Sequence, residues 1–375
     1  MSPNRLDAIR EVLLMGPGPS AVYPEVLRAL ARPTLGHLDP AFIAIMDETK
    51  SLLQQVMTTG NALTLPISGT GSAGMEAAFV NLVRPADRVL ILINGVFGTR
   101  MKDVAGRLGA QVESIDFPWG TPVIVDRVAD HLRKSEPYAI VAVVHAETST
   151  GVLNPVEQIG KLVRETHPDS LYLVDGVTSL GGIPVRLDDW QVDAFYSGTQ
   201  KCLSCPPGLA PLSFSARAVD RLKSRPTKVP NWYLDLSMII SYWEGAKRAY
   251  HHTAPINMIY GLYQALRCVL EEGLNVAFAR HRAAHERLVV GLAQIGLELL
   301  VAPDVRLPQL NAVKVPDGVD EAAVRSRLLT QDAIEIGAGL GPLAGKIWRV
   351  GLMGHTARPE HVDRVVAALK GALGR

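Results

Sequence analysis

Lys201 lies inside YSGTQKCLSCPPG, Tyr196 to Gly208, between a Ser/Thr-rich turn and a proline-rich turn. A lysine amine acts as a nucleophile or base only where burial or neighbouring charge makes its proton leave. Asp175 stands 26 residues upstream, at the end of the apolar run in LYLVDGVTSLGG. In open parallel sheets, ligands sit beyond the carboxyl ends of the strands. The strand DAFYS puts Lys201 just past such an end, as LYLV does for Asp175. Their separation is about one crossover unit, so both side chains can face one crevice.

A third piece is SGTGSAG, Ser68 to Gly74, which contains G-x-G-x-x-G at Gly69, Gly71 and Gly74. A dinucleotide site would need an acid about 20 residues on to hold a ribose hydroxyl. Asn94 and Gly95 stand there instead, and no Gly-Lys-Ser/Thr follows for a nucleotide phosphate loop. What remains is a helix start whose free N–H groups, at Gly71 to Ala73, suit a phosphate. Each piece alone has a plain alternative: a surface lysine, a turn-capping aspartate, a tight glycine turn. Together they meet the needs of pyridoxal phosphate. The lysine forms a Schiff base with the aldehyde, the aspartate keeps the ring nitrogen protonated, and the helix start holds the phosphate.

The elements that must position these residues are legible in outline. Pro40–Thr58 has helical spacing and stops at Gly60, and Ala73–Val83 reads as a second helix. Leu63–Ile67, Val89–Ile93, Ile140–Val144, Leu171–Val174 and Ala194–Tyr196 read as buried strands, with helices such as Val156–Glu165 between them. That alternation predicts an α/β fold with a mostly parallel sheet sandwiched by helices. Beyond Tyr250 a long helix is expected over Ile256–Glu272, broken at Gly273 and resuming to Gln294. Strands at Leu297–Val301, Asn311–Val315 and Ile347–Gly351, with helices at Glu321–Leu329 and Pro359–Leu373, then form a smaller α/β unit. The expected division is an irregular N-terminal arm (1–20), a large cofactor-binding domain (21–255), and a connecting helix with a small C-terminal domain (256–375).

The chain has 375 residues, 47% of them hydrophobic, enough for a sizeable core and more than one domain. Its 38 basic and 37 acidic residues leave a formal net charge of +1 without a basic block, which argues against nucleic-acid or membrane-surface partners. The apolar runs are too short for a bilayer, and MSPNRLDAIRE is too polar for a signal peptide. A cytoplasmic protein is expected. Cys202, Cys205 and Cys268 form no disulfide framework, and CLSC lacks the second pair a zinc site needs, so no metal is expected. Cys202 and Cys205 read as two small packing residues near Lys201.

The chain resembles the class V, fold type I aminotransferases, within them the alanine–glyoxylate, serine–glyoxylate and ureidoglycine–glyoxylate group. The resemblance runs nearly end to end. It is carried by SGTGSAGMEAA, HAETSTGVLNP, LVDGVTSLGG, SGTQKCL, YHHTAP and GPLAGKIWRVGLMG. It implies Lys201 as the lysine that holds the cofactor and shuttles the proton. Asp175 would pair with the ring nitrogen, and Gly71, Ser72 and Gln200 would hold the phosphate. Tyr250 and Thr253 would reach the phosphate of the other subunit, making the active site an interface within a homodimer. Thr148 would bond the ring oxygen, and Phe97 would stack on the ring where many relatives carry Trp. Arg349 would bind the substrate carboxylate through two parallel N–H bonds.

PTLGHLDPAF, WYLDLSMIISYW and VLEEGL resemble the ureidoglycine branch, which tends to carry Asn at the position of Tyr250 and Gln at that of His37. Tyr250 matches the alanine- and serine-using relatives, while His37 reads equally as a substrate contact or a packing histidine. The implied partners are a small amino acid, alanine or serine, and a 2-oxo acid, glyoxylate. A lyase or cysteine desulfurase on the same fold is the rival; a desulfurase needs a mobile cysteine, and none follows Cys268.

Overall fold

The computed structural model describes residues 4–245 and 247–375. Its largest sheet has seven strands: β1 (Leu63–Ser68), β2 (Arg88–Ile93), β3 (Gln111–Asp116), β4 (Ile140–Val144), β5 (Leu171–Asp175), β6 (Ala194–Tyr196) and β7 (Leu209–Phe214). Their spatial order is β1-β7-β6-β5-β4-β2-β3. β7 runs antiparallel to both neighbours, and every other pairing is parallel. The α/β class and mostly parallel sheet expected from the sequence are therefore present. Val89 to Leu92 and Ile140 to Val143 are wholly buried, because helices cover both sheet faces. Each such branched side chain contributes about 1.5–3 kcal/mol by leaving water.

The sequence reading contains neither β3 nor β7. β3 is an edge strand with polar Gln111, Glu113 and Asp116 exposed, so it lacks the apolar run of its neighbours. β7 carries Pro211, which weakens any strand signal, and it pairs opposite Pro66 of the edge strand β1.

Three helices bear on the site. Pro40–Met57 starts with Asp39 accepting the Ala41 N–H and with proline in its first turn. Gly71–Leu82 begins two residues before the expected Ala73, which puts Gly71 and Ser72 inside its first turn. Val96–Arg107, absent from the sequence reading, follows β2 directly. The long helices Ile256–Glu272 and Leu274–Gln294 meet at Gly273, whose φ of +87° only glycine adopts freely.

Leu310–Lys314, Ile347–Gly351 and Gly337–Ala338 form a second, antiparallel sheet with Ile347–Gly351 in the middle. Its apolar cluster contains Leu288, Leu292, Trp348, Val350, Val362 and Leu369. Leu297–Val301 is not a strand. Its pairing stops at one bridge, Leu299 to Val313, because Pro303 opens a 3-10 turn that ends the ladder. The first twenty residues are not wholly irregular either. Leu13–Leu14 pairs in parallel with Ile334–Glu335, and Met15 is buried in the same cluster as Trp348. No helix among the described residues is long and apolar enough to cross a membrane.

Candidate active site

β5 ends on Asp175, which is 2% exposed. Its Oδ1 accepts the Val177 N–H at 2.8 Å, and its Oδ2 accepts the Tyr196 hydroxyl at 2.8 Å. Burial raises the carboxyl pKa to about 6, with the two hydrogen bonds and the more distant Lys201 charge pulling the other way. The carboxylate is thus held in place and oriented, yet forms no ion pair among the described residues.

β6 lies beside β5, with Tyr196 in register with Asp175. Five residues past Tyr196, the Lys201 side chain is 8% exposed. Its Nζ donates to the Pro17 carbonyl. Burial lowers its pKa to about 8, helped by the Arg349 charge and opposed by Asp175. The segment MGPGPS closes over it: Ser20 Oγ donates to the Lys201 carbonyl at 2.6 Å, and the Ser20 N–H to the Gln200 carbonyl at 2.9 Å. Gly18 has φ +104°, and a Cβ there would fall 2.8 Å from Nζ.

Arg349 comes from the middle strand of the second sheet and is 7% exposed. Its Nε donates to the Ala338 carbonyl at 2.7 Å, and its Nη1 to the Thr148 carbonyl at 3.3 Å. Burial lowers its pKa to about 10, opposed by the charge of Glu147. No carboxylate reaches ion-pair distance among the described residues. A buried guanidinium without an acid partner carries an uncompensated charge, which an incoming carboxylate would neutralise.

Thr148 is buried, with its Oγ1 2.5 Å from Thr178 Oγ1. Phe97 stands in the first turn of Val96–Arg107, with the Arg100 guanidinium 5.0 Å from its ring centre. Cys202 packs under the lysine turn, its Sγ 3.6 Å from the Thr178 carbonyl, and burial pushes its thiol up to about 12. It is no nucleophile near neutral pH.

The phosphate end fits an anion. Thr70 gives the helix Gly71–Leu82 no side-chain cap, so the Gly71 and Ser72 N–H groups lack intrahelical acceptors. Gln200 Oε1 is buried without a partner among the described residues; being an acceptor it cannot bond a phosphate oxygen, and only the Gln200 NH2 could donate there. The residues present therefore suit a phosphorylated ring with a basic nitrogen: donors at the phosphate end, an oriented acid, and a lysine of lowered pKa.

Within one chain the remaining three residues stand apart from this group. Tyr250 is 58% exposed, and its hydroxyl lies 3.2 Å from Thr253 Oγ1. The His37 and Tyr250 rings lie 5.0 Å apart, and the His37 carbonyl accepts the Tyr242 hydroxyl. None of the three hydrogen-bonds Lys201, Asp175 or Arg349. Sequence reasoning did not single out Tyr196, Thr178, Glu147 or Pro17. Tyr196 carried a usable signal, since a strand-end tyrosine one strand over from Asp175 needs a partner for its buried hydroxyl.

The profile described as "Aminotransferase class-V" matches residues 19–359. The crystal structure of an alanine–glyoxylate aminotransferase from Nostoc sp. superposes with a TM-score of 0.94 at 49% identity, covering 100% of both chains. The (S)-ureidoglycine–glyoxylate transaminase of Bacillus subtilis is 40% identical, across 96% of this chain and 90% of its own. The alanine–glyoxylate aminotransferase of Callithrix jacchus is 41% identical, across 96% of this chain and 87% of its own. With that coverage, and with a lysine, an acid and an arginine brought together from two sheets, the chain belongs to the class V aminotransferases.

Proposed function

We propose that this protein moves the amino group of a small amino acid, L-alanine or L-serine, to glyoxylate, using pyridoxal phosphate. The observation that carries the reading is the buried Arg349 with no ion-pair partner among the described residues, held on the same crevice as Lys201 and Asp175. The relatives named for alanine and glyoxylate support the choice of substrates.

Pyridoxal phosphate, when bound, supplies an electron-withdrawing ring that accepts the carbanion charge. The chain does the rest. Asp175 holds a proton on the ring nitrogen, its carboxylate aimed by Tyr196 and Val177. The N–H groups of Gly71 and Ser72, with Gln200, fix the phosphate. Thr148 would offer its hydroxyl to the ring oxygen, and Phe97 would cover the ring face. Arg349 grips the substrate carboxylate and so fixes the Cα–H direction. Lys201 Nζ, neutral in a good fraction at pH 8, would serve as the base for the substrate Cα proton and as the acid that gives it back. The same pocket then runs the reverse sequence on glyoxylate, releasing glycine.

Tyr250 and Thr253 are exposed, and we assign them to the phosphate of a second copy, making the working unit a homodimer. A second reading takes (S)-ureidoglycine as donor, favoured by the Bacillus subtilis relative. Titrating the visible band of the loaded protein separates the readings. Bleaching by alanine or serine, reversed by glyoxylate, is expected; indifference to both, with bleaching by ureidoglycine, would replace the donor.

A further inference from the structure

Glu147 lies just past β4, in the two-residue strand Ala146–Glu147, and is 0% exposed. Its Oε1 accepts the Ser149 hydroxyl at 2.5 Å and the Ser149 N–H at 3.1 Å. Ser149 Oγ in turn accepts the Val96 N–H at 3.0 Å. Val96 opens the helix Val96–Arg107, whose own cap position is Gly95 and offers no side chain. The Gly98 N–H, in the same turn, also favours the ionised carboxyl. Ser149, itself held by this acid, thus supplies the side-chain cap that Gly95 cannot.

The fit is close. A Cβ on Gly95 would fall 2.3 Å from Glu147 Cδ and 2.5 Å from Ser149 Oγ. The carboxyl is therefore pressed against the backbone that leads into Phe97. Its Oε2 makes no hydrogen bond among the described residues. The charged and titratable groups facing it are Asp175 on β5, Tyr196 on β6 and Arg349 on the second sheet. Burial raises its pKa to about 7, and the Asp175 charge adds to that. Asp175, Arg349 and the Phe97 helix therefore converge on one buried acid that the proposed reaction does not itself use.

We propose that Glu147 is a positioning residue: through Ser149 its carboxyl clamps the first turn of Val96–Arg107 and so fixes the Phe97 ring over the cofactor. What the ring covers rests on the cofactor reading above; the clamp does not.

The test compares wild type with Glu147→Gln, Glu147→Ala and Ser149→Ala. The first readout is amide hydrogen exchange across residues 95–99 in protein stripped of cofactor. The second is the visible circular dichroism of the same proteins loaded with pyridoxal phosphate, which reports how rigidly the ring is held. Both alanine variants are expected to exchange Val96 to Gly98 about tenfold faster and to lose about half the visible signal. Glu147→Gln, which keeps an acceptor oxygen, should stay near wild type in both. Unchanged exchange in Ser149→Ala would overturn the clamp. That variant leaves little empty space, so it decides the matter even where Glu147→Ala fails to fold. Faster exchange with no loss of visible signal would overturn the role assigned to Phe97. A wild type that takes up no pyridoxal phosphate would sink the cofactor reading and leave the clamp to the exchange data.

Discussion

The Tyr196 hydroxyl donates to Asp175 Oδ2 at 2.8 Å from the directly opposed position on the next strand. The acid is therefore aimed by strand register, not by a flexible loop. Removing the hydroxyl in Tyr196→Phe leaves the ring packing intact but takes one bond from a buried carboxylate. Affinity for pyridoxal phosphate should fall about tenfold, the scale of one charge-assisted hydrogen bond. Equilibrium titration of the stripped variant measures this, and unchanged affinity would remove Tyr196 from the site.

Lys201 brings a pH signature. Its folded pKa is lowered from 10.5 to about 8, so the fold favours the neutral amine. Its contribution to stability is fully present above pH 10.5 and is lost as pH falls through about 8. Lys201→Ala should abolish covalent cofactor attachment. At pH 7 the stripped variant should also be about 1–3 kcal/mol more stable than stripped wild type, because no buried cation remains. The gap should close towards pH 10. Chemical denaturation at the two pH values tests it; a gap that does not shrink would mean that burial does not shift this amine.

Asp175 shows the opposite case. Its folded pKa is raised from 3.8 to about 6, so its contribution is present below pH 3.8 and is lost as pH rises through about 6. Asp175→Asn should flatten that part of the stripped protein's stability curve. Added cofactor should stabilise wild type far more than the variant, since only the carboxylate meets a protonated ring nitrogen. Equal thermal shifts in the two proteins would refute the pairing.

Arg349→Ala should keep the cofactor and raise KM for the amino donor about 100-fold, the cost of losing one partner of a desolvated charge pair. Arg349→Lys should recover little, because an ammonium cannot make two parallel bonds to a carboxylate. Steady-state kinetics with the visible spectrum as a loading control separates this from cofactor loss.

The homodimer assignment has a clean genetic test. Lys201→Ala and Tyr250→Ala proteins are each expected to be weakly active. Mixed under exchange conditions, they form heterodimers in which one site has its own Lys201 and a partner's Tyr250, both intact. Recovery to about a quarter of wild-type activity is the expected outcome, from random pairing. No recovery places Tyr250 in its own chain's site or outside any site.

The amino-acid sequence by itself determined the class of the fold and brought Asp175 and Lys201 forward as the candidate acid and lysine. Buried parallel strands are read from runs such as LILI and IVAVV, because a sheet covered on both faces needs apolar residues at every position. Asp175 and Lys201 are read from their places past strand ends, because strand ends in such sheets face one crevice. Local pattern could not reveal what depended on long-range approach. The tertiary structure decided that MGPGPS packs on Lys201, and that Arg349 crosses from the second sheet to the Thr148 carbonyl. It also decided that Ser149, held by the Glu147 carboxyl, accepts the N–H of Val96, 53 residues earlier in the chain. Edge strand β3 and proline-bearing β7 stayed hidden for a related reason. Their stability comes from pairing with neighbours, and a strand held that way need not carry a strong pattern of its own.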